Sequence, residues 1–197
     1  MSSMTPLEKI IHDTMHSEGD NSAELLTTLF GICLTMKAKN ILELGCGGST
    51  YPLAAGASIT GGVLTSVDTE YRFPYCPDEF KEHWRFFQMD TIDFLKKNTD
   101  KYYDLVFIDD DHGCKHVQEE LSLLDKMTDE RSVILLHDLM GNYHQPDYWQ
   151  SNELGGTWEG GGVCKAVFEL DRTKWEWATI PRNNGLTILR KWALVKD

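Results

Sequence analysis

The chain has 197 residues and a formal charge of −12, from 19 basic and 31 acidic side chains. This length suits one domain with a single buried core, and 41% hydrophobic with 25% charged residues is typical of a folded globular protein. The acidic balance argues against binding to nucleic acid or anionic lipid through a basic face. Five scattered cysteines without a CxxC pair, and no apolar run long enough to span a membrane, predict a soluble cytoplasmic protein.

The first predicted elements are a helix and a buried strand. Residues 20–37 place Leu25, Leu29 and Phe30 at helical spacing, after an aspartate at position 20 that can cap the helix. The run 40–45 is short and apolar and ends in glycine, which is typical of a buried parallel strand.

Four similar apolar runs follow, separated by stretches long enough for crossover helices. They are residues 62–67, 84–89, 103–108 and 133–136. One of the intervening stretches, residues 115–126, places Val117, Leu121 and Leu124 on one side of a helix. This alternation predicts a doubly wound α/β sheet with right-handed crossovers.

The last third of the chain has a different pattern. Residues 140–162 are rich in Gly, Asn, Gln and aromatic residues with little periodicity, which predicts a long loop that is either a substrate lid or a surface excursion. A helix at 163–170 and two strands at 175–180 and 186–191 follow, and the turn at 181–185 between the strands is a hairpin signal.

The predicted fold is therefore α/β and Rossmann-like: a doubly wound, mostly parallel seven-stranded sheet with a C-terminal antiparallel hairpin, in three α/β/α layers. Residues 1–39 are predicted to form an N-terminal helical segment. Residues 40–197 are predicted to form a single domain that includes the 140–162 loop.

A glycine-rich turn follows the first predicted strand, with the sequence Glu-Leu-Gly-Cys-Gly-Gly-Ser-Thr at positions 43–50. Glycines there allow a tight turn and a close approach of the backbone to a ligand. Thr50 occupies the place of the third glycine in a dinucleotide fingerprint. Asp68 ends the second strand, about 20 residues beyond the loop, where a carboxylate can accept both hydroxyls of a ribose. The alternative is a plain strand-to-helix connection.

Acidic residues follow all five parallel strands of the predicted sheet. They are Glu43, Asp68, Asp90, the run Asp109, Asp110 and Asp111, and Asp138. Any one of them could be a helix cap or a solvated turn residue. Because ligands in open α/β sheets bind at the carboxyl ends of the strands, the set predicts a shared site.

These motifs resemble those of class I S-adenosylmethionine-dependent methyltransferases. The resemblance rests on the segments 43–48, 88–90 and 107–112 together with Asp68, and it covers roughly residues 41–138. It implies S-adenosylmethionine as cofactor, with the glycine loop at its methionine part, Asp68 at the ribose, and Met89 and Asp90 at the adenine. The cofactor-binding residues implied are Glu43, Gly45, Cys46, Gly47, Ser49, Asp68, Met89, Asp90 and Asp109.

A narrower resemblance is to small-molecule O-methyltransferases of the catechol, macrocin and cephalosporin-cluster types. It implies that Asp109, His137 and Asp138 hold Mg²⁺ or another divalent metal, and that Asp111 or His112 accepts the hydroxyl proton. His137 departs from the family pattern, in which Asp or Glu is more common, and histidine shifts the preference towards softer ions. Without a metal, the run of aspartates would only interact favourably with the dipole of the helix that follows it.

The sequence thus predicts O-methylation of a small-molecule hydroxyl, with no nucleic-acid or membrane partner and with homodimer formation left open. One alternative is an NAD or nucleotide-sugar enzyme of the same fold class, and another is a cofactor-binding module without turnover. His112 and His116 lie four residues apart and could share one helical face, where they would serve as a base or a ligand or would be solvated surface residues.

Overall fold

A computed structural model of the chain describes residues 4–16, 25–71, 76, 78–140, 162–182 and 184–192. The predicted loop at 140–162 lies, apart from its two end residues, outside the described residues, and so does the predicted start of the 20–37 helix. In the described part of the chain, no helix is both long enough and apolar enough to cross a membrane.

The described residues form one seven-stranded sheet. Its strands are β1 (Asn40–Leu44), β2 (Val63–Asp68), β3 (Trp84–Gln88), β4 (Leu105–Ile108), β5 (Val133–Leu136), β6 (Trp175–Ile180) and β7 (Leu186–Lys191). The spatial order is β3-β2-β1-β4-β5-β7-β6, with β1 to β5 parallel and β7 antiparallel to both of its neighbours. The predicted sheet and its C-terminal hairpin are confirmed.

Six α-helices connect and cover the strands in the described ranges. They are α1 (Pro6–His16), α2 (Leu26–Met36), α3 (Thr50–Thr60), α4 (Thr91–Lys97), α5 (Cys114–Leu124) and α6 (Gly162–Phe168), with a 3₁₀ helix at Asp78–His83 before β3. The fourth strand begins two residues later than predicted. The backbone N–H of Tyr103 donates to the carbonyl of Met127 instead of to a neighbouring strand.

The helices pack on both faces of the sheet because the central strands are apolar on both sides. In β1, Leu42 and Leu44 belong to a buried cluster with residues of α4, α5 and α6. Ile41, on the opposite face, packs with Phe30 of α2 and Leu53 of α3 in a second buried cluster. This arrangement is the predicted three-layer α/β/α architecture.

The strand register places the candidate site residues predicted from the sequence at one edge of the sheet. Leu44 lies beside Val67 on one side and Ile108 on the other, and Ile108 lies beside Leu136. Because these four strands are parallel, the segments that follow them emerge side by side. The glycine loop, Asp68, the aspartate run and the His137–Asp138 pair therefore meet there.

Candidate active site

The glycine loop begins at Gly45, where the backbone has a φ of 85°. Its N–H donates to the carbonyl of Val67, which continues the β1–β2 pairing by one residue. A Cβ at this position would lie 2.3 Å from the backbone carbonyl oxygen of Asp109. Gly45 is therefore required both by its positive φ and by the close passage of the loop against the end of β4.

Glu43 is fully buried beneath this loop. Its carboxylate accepts hydrogen bonds from Ser49 Oγ (2.7 Å), Thr50 Oγ1 (2.8 Å) and Ser66 Oγ (2.5 Å). Burial raises the pKa of Glu43 to about 7, although the three hydroxyl donors act in the opposite direction. Glu43 and Ser49 are predicted cofactor residues, but in the structure the Ser49 hydroxyl donates to the Glu43 carboxylate. These two side chains can therefore affect a ligand by holding the backbone of the glycine loop in place.

Asp68 connects the glycine loop to the end of β2. One carboxylate oxygen accepts a hydrogen bond from the backbone N–H of Cys46, and the other accepts from that of Glu70, both at 2.9 Å. Beside it lies a cavity of about 400 Å³. Its lining residues are Gly45, Cys46, Asp68, Thr69, Asp90, Thr91, Asp109, Asp110, Asp111 and His116.

The structure thus gathers five of the predicted cofactor residues around one cavity: Gly45, Cys46, Asp68, Asp90 and Asp109. Asp90 also caps α4, because its Oδ1 accepts a hydrogen bond from the N–H of Asp93. Met89 is half-buried against the core and donates its N–H to the carbonyl of Asp68. At Gly47, an added Cβ would meet no atom within 4 Å.

The three predicted metal ligands lie close together beside this cavity. Asp109 Oδ1 is 3.1 Å from His137 Nδ1, and His137 Nδ1 is 3.5 Å from Asp138 Oδ2. His112 joins them, with its Nε2 at 2.7 Å from Asp138 Oδ2 and 3.5 Å from Asp109 Oδ1. Asp138 has a φ of 65°, a strained backbone conformation for a residue with a side chain.

The electrostatics of this cluster favour a cation among its carboxylates. Burial opposes ionisation of Asp109, but hydrogen bonds with His112 and His137 outweigh it and lower the pKa of Asp109 to about 2. Burial also opposes protonation of His112, but its hydrogen bonds with Asp109 and Asp138 raise the pKa of His112 to about 10. Asp138 Oδ1 is buried and accepts no hydrogen bond from the described residues. Two carboxylates with imidazole nitrogens form a donor set that suits a divalent ion.

The two predicted candidates for the catalytic base occupy different positions. His112 lies inside the cluster of Asp109, His137 and Asp138, whereas Asp111 is exposed at the cavity rim and accepts a hydrogen bond from the N–H of Gly113 at 2.7 Å. His112 and His116 do not share a helical face, because α5 begins at Cys114, after His112.

Thr69 and Thr91 line the cavity and were not singled out from the sequence. Asp110, predicted only as a member of the acidic set, and His116, predicted as a base or ligand or a surface residue, line it as well. Glu120, which was not predicted, lies behind His116, with Oε1 at 3.5 Å from His116 Nε2. The sequence carries one signal for this group, since residues 116 and 120 are separated by one helical turn.

Comparison with known proteins gives one family match. A family model described as “Methyltransferase domain” matches residues 42–139, from β1 to just beyond β5. No curated protein matched the chain.

Solved structures share the fold over nearly the whole chain at low sequence identity. An O-methyltransferase from Bacillus cereus in complex with SAH is 15% identical with a TM-score of 0.69, covering 98% of this chain and 93% of that one. SAH-bound methyltransferase PaMTH1 from Podospora anserina is 15% identical with a TM-score of 0.68 and coverages of 98% and 90%. O-methyltransferase TomG from Streptomyces achromogenes, involved in tomaymycin synthesis and solved with SAM, is 17% identical with a TM-score of 0.66 and coverages of 98% and 92%.

Proposed function

We propose that this protein is a class I S-adenosylmethionine-dependent methyltransferase that methylates a hydroxyl oxygen of a small molecule. The match of residues 42–139 to a methyltransferase-domain family model supports this proposal. The observation that carries the proposal is the cluster of Asp109, His112, His137 and Asp138 beside the cavity. A hydroxyl is a poor nucleophile until its proton is weakened, and this cluster supplies both carboxylates and imidazoles for that purpose.

The cavity beside the glycine loop is the proposed cofactor site. Asp68 would accept hydrogen bonds from the ribose hydroxyls, and the glycine loop would lie along the methionine part. Asp90 and Met89 would border the adenine. In support, Asp68 and Gly45 line the same cavity, and the N–H of Cys46 fixes the Asp68 carboxylate at its edge. Two of the solved structures of similar fold are described with SAH and one with SAM.

Asp109, His137 and Asp138 are the proposed ligands of a divalent metal, Mg²⁺ or a softer ion. A bound divalent ion would stabilise the oxyanion formed from the substrate hydroxyl. His137 favours an ion softer than Mg²⁺. The buried Asp138 Oδ1, which accepts no hydrogen bond from the described residues, is a further donor in the set.

His112 is the proposed proton acceptor, with Asp111 at the rim as the alternative. A metal cation bound to Asp109 and Asp138 would disfavour a proton on the neighbouring His112. The His112 imidazole would then be neutral. The His112 ring already lies against both carboxylates. Its main task is then to hold the substrate proton while the oxygen and the methyl group are kept in line.

The chain's charge supports a small-molecule acceptor, and its scattered cysteines without a CxxC pair support a location in the cytoplasm. A net charge of −12 disfavours a nucleic acid or an anionic membrane surface as partner. Homodimer formation stays a prediction.

The proposal is tested by incubating the protein with methyl-labelled S-adenosylmethionine and a panel of small hydroxyl, amine and thiol compounds. We expect label on hydroxyl compounds, with His112→Gln lowering kcat by about 10²-fold or more. The control Glu119→Gln changes an exposed carboxylate that pairs with Lys96 on α4 and should leave kcat unchanged. Transfer to amines or thiols but to no hydroxyl compound would contradict O-methylation.

A further inference from the structure

A second polar cluster lies between the end of β4 and α5, apart from the proposed catalytic metal ligands. His116 Nε2 is 3.2 Å from Asp110 Oδ2 and 3.5 Å from Glu120 Oε1. Thr91 Oγ1, at the start of α4, lies 2.7 Å from Asp110 Oδ2 and 3.0 Å from His116 Nε2. Three elements therefore converge on one point at the wall of the cavity.

Glu120 distinguishes this cluster from an ordinary surface group of acidic residues. Its exposed fraction is 0%, and within the described residues neither carboxylate oxygen has a hydrogen bond of ordinary length, since His116 Nε2 lies 3.5 Å from Oε1. Asp110 Oδ1 is likewise buried without a hydrogen-bond partner there. A buried carboxylate without such partners is costly unless a positive charge compensates it. The cluster holds two carboxylates and one imidazole, so when both carboxyls are ionised a protonated His116 balances only one of them.

The spacing of the ligand atoms fits a single metal ion. Zn²⁺ binds nitrogen and oxygen ligands at about 2.1 Å in tetrahedral sites, which places ligand atoms about 3.4 Å apart. The two distances from His116 Nε2, 3.2 and 3.5 Å, agree with that edge length. One atom from each of Asp110, His116 and Glu120 lies within 4.8 Å of the others.

We propose that Asp110, His116 and Glu120 bind a second divalent ion of the Zn²⁺ class, separate from the ion proposed at Asp109, His137 and Asp138. An imidazole with two carboxylates suits such an ion better than Mg²⁺, which prefers oxygen ligands and bound water. The ion would join the end of β4 to α5 at the wall of the cavity.

The competing explanation is a metal-free cluster in which protons alone balance the charge. Burial, reinforced by the nearby charge of Asp110, raises the pKa of Glu120 to about 8, so without an ion this carboxyl keeps its proton at neutral pH. A metal would displace that proton, and Zn²⁺ uptake would release it.

The test measures the number of Zn²⁺ ions bound by the full chain after treatment with a chelator, using equilibrium dialysis and elemental analysis. We expect two ions per wild-type chain, one in Glu120→Gln and one in Asp138→Asn, and none in the double variant. Glu119→Gln, the exposed neighbour on the same helix, should still bind two. These counts need no substrate, so they can fail or succeed independently of the proposed activity.

A wild-type chain that binds no ion, or a single ion lost in Asp138→Asn and kept in Glu120→Gln, would overturn the proposal. Two ions retained in Glu120→Gln would overturn it as well. Circular dichroism verifies that each variant is folded. If Glu120→Gln does not fold, Asp110→Asn decides the question by the same count, because Asp110 is partly accessible from the cavity.

Discussion

The buried carboxylate of Glu43 should make the stability of this protein fall as the pH rises. Its side chain is fully buried, and among the described residues its hydrogen-bond donors are the hydroxyls of Ser49, Thr50 and Ser66. Hydroxyl groups stabilise the ionised carboxylate less than a cation does, and burial raises the pKa of Glu43 from 4.5 to about 7. The folded chain therefore holds a proton that the unfolded chain releases at lower pH.

The direction of the effect follows from proton linkage. Between pH 4.5 and 7 the folded state binds more protons at Glu43 than the unfolded state, so the free energy of unfolding decreases with pH in this window. The contribution is fully present below pH 4.5 and is lost as the pH rises through about 7. A change in pKa from 4.5 to about 7 corresponds to about 3 kcal/mol of unfolding free energy.

Glu43→Gln removes this titration while keeping the size of the side chain. The free energy of unfolding is measured with urea for wild type and variant at pH 5 and at pH 8. From pH 5 to pH 8, that of the wild type should fall by about 2–3 kcal/mol relative to that of the variant. Groups that titrate equally in both proteins cancel in the comparison. Glu119→Gln, an exposed carboxylate, should show less than about 1 kcal/mol of relative change. A stability difference between wild type and Glu43→Gln that is equal at both pH values would refute the reasoning.

The remaining predictions concern the cavity and the metal. Asp68→Ala should weaken binding of S-adenosylmethionine in calorimetry by about 100-fold, because two hydrogen bonds to a charged acceptor are lost, whereas Asp138→Ala should weaken it far less. Gly45→Ala places a Cβ 2.3 Å from the Asp109 carbonyl oxygen and should cost at least about 1–3 kcal/mol in urea unfolding; Gly47→Ala, where that atom meets nothing within 4 Å, should cost less. EDTA should abolish methyl transfer and a divalent ion restore it; turnover insensitive to EDTA would remove Asp109 and Asp138 from metal binding.

The sheet could be predicted because each parallel strand is a short apolar run with a polar or glycine-rich end. The run at 133–136 agrees with β5 at both ends, and the hairpin strands at 175–180 and 186–191 agree with β6 and β7. Since parallel strands end at one edge, the same reasoning predicted that Asp68, Asp109 and Asp138 would lie near each other.

The direction of individual side chains could not be predicted in this way. Glu43 and Ser49 are six residues apart, and nothing in their spacing indicates that Ser49 turns away from the cavity to donate to Glu43. The Asp110–His116–Glu120 cluster needs the packing of α5 against the end of β4, which is a tertiary contact. His112 and His116 have helical spacing, but the backbone is extended at Gly113, just before α5 begins. The two side chains therefore do not lie on one helical face.

The central claim, that the cavity beside Asp68 binds S-adenosylmethionine, is tested most directly by isothermal titration calorimetry of the full chain. S-adenosylmethionine and its demethylated product should each bind at one site per chain, with much higher affinity than NAD. Binding of NAD in preference to both, or no heat with any of the three ligands, would contradict the account.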